Sequence, residues 1–459
     1  MSPKSDPPPG KQTVDPVLLQ AEDLESATMR TVAWRLVPFL CLIYVVAFID
    51  RINIGFAALT MSKDLGLTPA MFGLGAGIFF IGYFLFEVPS NLILHRVGAR
   101  RWIARVMITW GIISTCFTLI HGAVAFYVLR FLLGVAEAGF FPGIILYLSF
   151  WFPKRWRGQV TAGFMAAIPV ASFIAGPLSA VLLQMNGIAG FKGWQWMFIV
   201  EGVPSVILGL VVLKFLTDTP AKATWLKAEQ RDWLVKEMAG EAGPPEHHSL
   251  KEVLGTLISW KVMRLALVYF GLTTGLYGIE LWMPQMLQSF GLSDLHVGFV
   301  GAIPYLVAIC TMGFWAKHSD KTGERYWHVA LACALGGGGL LLAGLFHDYH
   351  VLVVLLLAIA IAGVMAARPP FWAMPSDFLT GAKAAAGIAA INSIGNLGGF
   401  LGPYLIGWAR ETTGSFTAGL MISAATLLAS AMFVISLRRS AKLSLLQTTT
   451  QLNPTSINN

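Results

Sequence analysis

The chain has 459 residues, of which 56% are hydrophobic and only 12% charged, with a mean hydropathy of +0.67. An ordinary soluble domain carries about 25% charged residues, so the composition excludes that class. The net charge of +8 comes from one-sided clustering of Lys and Arg and calls for no nucleic-acid partner. Cys41, Cys116, Cys310 and Cys333 lie in separate apolar runs without metal or disulfide spacing.

Residues 1–34 are polar, lack the short apolar core of a cleavable signal, and read as a tail. Runs long enough to span a membrane follow at about 35–59, 70–94, 103–121, 125–152, 158–184 and 195–217. After a polar gap they resume at about 261–290, 295–316, 327–346, 350–378, 384–409 and 416–437, about twelve in all. The fold class is an all-α membrane protein with bundles at 35–217 and 259–437. The tail from 438, Thr/Asn/Gln-rich after Lys442, is expected to be disordered.

In the first run Asp50 and Arg51 lie about 20 Å into an apolar core about 30 Å thick. Ionisable groups at that depth are costly unless they serve a polar pathway. In the second run Tyr83 would line a cavity, and Glu87 is expected to meet arginines such as Arg105. Between runs two and three, His95-Arg96-Val-Gly98-Ala-Arg100-Arg-Trp102 forms a basic loop. Glu137 falls near mid-depth in run four, and Arg130, seven residues earlier, shares its face. Static Asp50–Arg130 or Glu137–Arg51 bridges that only fix packing are the plain alternative to a working site.

The gap at 218–258 suggests a short amphipathic helix on the inner membrane face, ending near Gly243-Pro244-Pro245, that links the bundles. In the second half Asp320-Lys-Thr-Gly323-Glu-Arg325-Tyr-Trp327 echoes the first basic loop 225 positions on, and Gly402-Pro403 echoes Gly176-Pro177 with an offset of 226. Duplicated halves place a transport site between them near the midplane. Arg96, Arg100, Asp320 and Arg325 are expected to latch the basic side. Arg51 shifted by 226 falls on Tyr277, and no acid matches Asp50 or Glu137 in the second half. That half would contribute substrate contacts: Tyr277, Asn392 and Arg368. Arg368 precedes Pro369-Pro370 and would hold a second carboxylate or cap carbonyls freed by the prolines. Glu201 and Glu280 read as helix–helix hydrogen bonders. Asn396, Trp282 and Trp372 remain open between ligand contact and packing.

Lys and Arg concentrate on the side of both termini and the central loop, which puts these in the cytoplasm. Lys383 is counted with them. All nine histidines fall in loops or at helix ends, against an intramembrane metal or haem enzyme. No cofactor or metal is expected.

The motifs Phe48-Ile-Asp50-Arg51-Ile-Asn53-Ile-Gly-Phe-Ala57, Gly82-Tyr83-Phe-Leu-Phe-Glu87-Val-Pro89-Ser-Asn91, Arg130-Phe-Leu-Leu-Gly-Val-Ala-Glu137-Ala-Gly139-Phe-Phe-Pro142-Gly143 and Asn392-Ser-Ile-Gly-Asn396-Leu-Gly-Gly399 resemble the anion:cation symporters of the major facilitator superfamily, nearest to bacterial tartrate-type transporters. The resemblance spans nearly the whole chain. His95 departs from it, standing where the superfamily has an acid. The resemblance implies that Asp50 and Glu137 carry protons and that Arg51, with Arg130 beside it, receives the substrate carboxylate. It implies a monomeric, multi-pass symporter of the bacterial inner membrane whose partners are a small organic anion, protons and lipid. An aromatic monocarboxylate symporter, or an uncoupled uniporter or sensor, is the alternative.

Overall fold

The computed structural model describes the backbone of residues 16–241, 255, 259–377 and 381–452; the side chains at 16–22, 95, 376–377, 381–386 and 440–452 fall outside the described set, as does all of 242–254. His95, Lys383 and the Gly243-Pro244-Pro245 turn therefore lie outside what can be placed. All regular structure among the described residues is helical.

The first half comprises α1 (Pro16–Asp64), α2 (Pro69–Val97), α3 (Ala99–Cys116), α4 (Gly122–Glu137), α5 (Phe140–Trp151), α6 (Lys154–Met165), α7 (Ala167–Leu183) and α8 (Gly193–Phe215). A linker helix α9 (Ala228–Glu241) follows. The second half comprises α10 (Trp260–Ser289), α11 (Asp294–Thr322), α12 (Tyr326–Leu345), α13 (His350–Ala373), α14 (Gly381–Asn396), α15 (Gly398–Thr413) and α16 (Thr417–Leu452). Among the described residues, eleven helices or joined pairs are long and apolar enough to cross a membrane. The remaining expected span, at 384–409, is present as α14 and α15, each only 16 residues long.

Hydropathy located the spans but not their breaks. Run four divides at Ala138-Gly139, where Gly139 adopts φ +82°, a left-handed conformation that suits glycine. The Ser90 hydroxyl donates to the Ala138 carbonyl at 2.6 Å and accepts from the Trp102 indole at 2.9 Å. A broken backbone at membrane depth is tolerated when its freed groups find such partners. Run five breaks at Ala166 and run eleven at Leu397. The Pro369-Pro370 pair, by contrast, is carried inside α13.

Both terminal segments depart from the expected tails. The helix of run one begins at Pro16, and Met29, Val32 and Leu36 bury one face of its early turns. Glu25 there accepts from Arg155 at 2.6 Å. Helix α16 continues past Arg439 to Leu452, the last described residue. The apolar signal marks only the portion that lipid covers, whereas helix formers extend the structure beyond it.

The linker helix α9 docks on the first half. Leu234 is fully buried, Trp225 stacks on Trp151 at 5.3 Å, and Glu237 and Glu241 pair with Arg155 and Arg157 at 2.7 and 3.1 Å. It caps the end of the bundle that holds most of the Lys and Arg, called here the basic end.

The broad pairings between halves, α2 with α15, α7 with α11 and α1 with α10, lie toward the opposite, far end. Small residues permit them: a Cβ added at Gly73 would fall 2.5 Å from the Pro403 carbonyl. Toward the basic end the pairings are slight, α2 with α14 and α6 with α13. The molecule is closed at the far end and parted at the basic end.

A polar tie supports the closed end. Glu411 on α15 accepts from the Ala70 N–H of α2 at 2.8 Å, and the Thr68 hydroxyl with that N–H holds its carboxyl below the usual range. A depressed value means the tie is intact at neutral pH and lost only as pH falls through it. Glu411→Gln is expected to broaden the distance between spin labels placed at Leu65 and Thr413, and wild type should follow only in acid, below the usual glutamate range. An unchanged distribution in the variant would remove Glu411 from the closure.

Candidate functional site

Of the residues singled out from the sequence, the fold brings Arg51, Glu137 and Tyr277 into one bonded group. The break after Glu137 leaves that residue as the last of α4, facing α1. Arg51 donates Nε–H to Glu137 Oε1 at 3.0 Å, its Nη2 also bonds that oxygen, and its Nη1 donates to the Tyr277 hydroxyl at 3.0 Å. All three side chains are buried. Arg51 and Tyr277 are the two residues related by the 226-position repeat, and they meet across the interface. Of the two static bridges considered from sequence, Glu137–Arg51 is present and Asp50–Arg130 is absent.

Asp50 points away from Arg51 into the first half. Its Oδ1 accepts from the Ser114 hydroxyl of α3 and from the Asn53 amide, the latter at 3.3 Å. Arg130 departs from its expected role in substrate binding. It donates to the Gly75 and Ala76 carbonyls of α2 at 3.3 and 2.9 Å and does not line the central chamber. The shared-face argument was sound for the backbone, yet the long side chain reaches sideways to anchor α4 on α2. It remains near enough to Asp50 and Glu137 to interact with their charges.

A chamber between the halves is lined by Arg51, Tyr83 and Tyr44 from one side and Tyr277, Arg368 and Asn392 from the other. The Tyr83 ring lies 5.5 Å from the Arg51 guanidinium. Arg368, 5% exposed, has no hydrogen-bonded acid or carbonyl among the described residues, and its Nε lacks any partner. Capping of carbonyls at the proline pair is thus not what holds it. Asn392 lines the chamber while donating to Glu87, which also accepts from the Ser393 hydroxyl at 2.8 Å. Glu87 therefore ties α2 to α14 and does not meet Arg105, whose guanidinium sits 3.8 Å from the Trp102 ring centre. Asn396 also borders the chamber. Trp282 does not; its indole donates to the Pro403 carbonyl at 2.9 Å.

At the basic end Arg100 pairs with Asp218 at the start of the linker, Arg325 pairs with Asp320 of its own half at 2.5 Å, and Arg96 is exposed. Glu280 accepts from Ser172 across the halves at 2.9 Å and Glu201 from Ser179 at 3.4 Å. Both are helix–helix bonds as read from sequence. No group of three or more His, Cys, Asp or Glu side chains able to hold a metal occurs among the described residues.

Sequence reasoning missed Tyr44 and Tyr269 in the chamber wall and Ser114 behind it. The tyrosines left a signal: Tyr44 is seven residues before Arg51, and Tyr269 eight before Tyr277, each on the same helical face. Ser114 left none, since its partner lies on another helix.

A family model for the Major Facilitator Superfamily matches residues 40–403. The chain belongs to that superfamily. It is a multi-pass membrane transporter and not an enzyme. A "Putative tartrate transporter" of Agrobacterium vitis is 56% identical over 91% of this chain and 93% of its own length. A "Quinolone resistance transporter" of Acinetobacter baumannii is 44% identical over 87% and 92%. Among solved structures, a bacterial homologue of the human lysosomal transporter Spinster, in an inward-facing and occupied conformation, superposes with TM-score 0.70. It is 17% identical, covering 88% of this chain and 96% of that one, a likeness of fold.

Proposed function

We propose that the protein is a proton-coupled symporter that imports a small organic dianion of the tartrate type across the bacterial inner membrane. The observation that carries this reading is a pair of buried arginines, Arg51 and Arg368, on opposite walls of one chamber, with Tyr277 and Tyr44 close to both. Two guanidinium forks suit two carboxylates, because each binds a carboxylate through parallel hydrogen bonds. Tyrosine hydroxyls and Asn392 suit the hydroxyls between. Two Agrobacterium vitis relatives whose name is "Putative tartrate transporter" agree with an organic anion.

Coupling follows from competition for Arg51. Glu137 as a carboxylate occupies the guanidinium that the substrate requires, and a proton on Glu137 frees it. The positive-inside rule makes the basic end cytoplasmic, so this conformation is open inward. Arg96, Arg100, Asp320 and Arg325 would then latch that end when the cycle reverses. The molecule is read as acting alone, as a monomer.

A second reading has its own observation: Tyr44, Tyr83, Tyr269 and Tyr277 wall the chamber with aromatic rings, which would suit an aromatic monocarboxylate. Arg368→Ala separates the two in proteoliposomes. On the dianion reading, losing one charged hydrogen-bonding partner worth about 1.5–3 kcal/mol raises the tartrate KM at least about tenfold. Uptake of 4-hydroxyphenylacetate stays near wild type. Equal impairment of both anions would overturn the two-carboxylate assignment.

A further inference from the structure

Asp50 does not end at its hydrogen bond to Ser114; a polar thread leaves it toward the far end, away from the chamber. Asn53 is one turn beyond Asp50 on α1; its amide donates to the Asp50 carboxyl at 3.3 Å and lies near enough to the Glu201 carboxyl to interact with it. Glu201 lies on α8, eight residues in from the far-end start of that helix, and accepts from Ser179 on α7. Ser179 stands one turn from the far end of α7. Asn53 and Ser179 are fully buried, and Asp50 and Glu201 nearly so, at 3% and 4% exposure. The thread runs through α1, α7 and α8 of one half and borrows nothing from the second.

The charges around it are one-sided. Asp50 faces Ser114 of α3 and, on α4, Glu137 and Arg130; Arg130 spends its hydrogen bonds on α2 carbonyls. Glu201 meets Asn53 and Asp50 of α1 and Ser179 of α7, with no cation among these partners. Its Oε2 and the Asn53 Oδ1 are buried without a hydrogen-bond partner among the described residues. Two carboxyls that flank one amide in an apolar interior resist ionising together, since like charges raise each other's proton affinity. A proton on Glu201 makes its carboxyl neutral and turns Oε2 from an unsatisfied acceptor into a donor.

We propose that Glu201 and Asp50 share one proton across Asn53, and that this pair is the port through which the transporter takes its proton from the far side. The inference rests on the proton-symport reading above and adds a third acid to it. In the transfer, the O–H bond at Glu201 breaks and one forms at Asp50, and the negative charge passes to Glu201. A proton from the far side then refills Glu201 along the Ser179 end of the thread. Because the path is separate from the chamber, proton and anion would enter by different doors.

The test uses the full-length protein in lipid nanodiscs and follows the protonated-carboxyl infrared band with pH, Asp50 being identified by the component lost in Asp50→Asn. Glu201→Gln should lower the Asp50 midpoint by about one pH unit or more, as expected for strongly coupled sites. Asn53→Ala, which removes the amide between the acids and leaves both carboxyls in place, should also displace the midpoint and serves if Glu201→Gln does not fold. An Asp50 midpoint that matches wild type in either variant, or an Asp50 band that does not titrate, overturns the shared-proton pair. Failure of the symport reading looks different. There the midpoint shifts as expected, but wild-type proteoliposomes show no pH-driven tartrate uptake and no proton uptake with it.

Discussion

Glu137→Gln should abolish pH-gradient-driven accumulation of tartrate in proteoliposomes while leaving exchange of labelled for unlabelled substrate intact. Glutamine mimics the protonated acid, so Arg51 loses its ionic partner and is permanently available to the anion. Breaking a buried pair by removing one member costs about 3–5 kcal/mol, because the remaining charge stays buried. A bound carboxylate would recover part of that cost. Tartrate affinity should therefore rise at least about tenfold, or about 1.4 kcal/mol, even as uptake against a gradient disappears. Asp50→Asn should lose the drive in the same assay with little gain in affinity. Its carboxyl bonds Ser114 and Asn53 rather than Arg51. Normal pH-driven uptake in both variants would sink proton coupling, and a large affinity gain in Asp50→Asn would show that the two acids do not have separate tasks.

This split between the acids was only half legible in the sequence. Apolar runs gave the spans, and the repeated loop with the repeated Gly-Pro gave the two halves. Buried charge in the first half pointed to Asp50, Arg51 and Glu137, because such groups are expensive in lipid and stand out against apolar neighbours. What the sequence could not supply was direction. Asp50 and Arg51 are adjacent, so their side chains leave α1 about 100° apart, and only tertiary packing decides which meets Glu137. The same limit sent Arg130 to the wrong partner and Glu87 to Arg105. Long side chains and helix-end carboxyls choose among neighbours that hydropathy does not identify. The break at Ala138-Gly139 was visible as an Ala-Gly step followed by Pro142, yet it was masked by continuous apolarity on both sides. The meeting of Tyr277 with Arg51 has a different source, because the internal repeat is long-range information. Two positions related by the duplication face the same axis, and here they bond.

That bond frames the second large effect. Arg51→Lys retains the positive charge but not the fork. In the protein Arg51 uses two nitrogens on Glu137 and a third on Tyr277, a spread that a single ammonium cannot reproduce. The substrate carboxylate would lose one charge-assisted hydrogen bond of about 1.5–3 kcal/mol, so the tartrate KM should rise between about 10- and 150-fold. Tyr277→Phe removes a neutral partner of the same guanidinium and should cost less, about 2- to 10-fold. The order matters more than either value. If Arg51 only packs helices against Glu137, lysine would preserve the ion pair and KM would stay at wild type. Combining Arg51→Lys with Glu137→Gln extends the argument. Residues that share one partner do not act additively, so the double variant should show an affinity that the two single effects do not predict. Strict additivity would mean that substrate and Glu137 do not compete for Arg51, and competition is the step that makes a proton release the anion site.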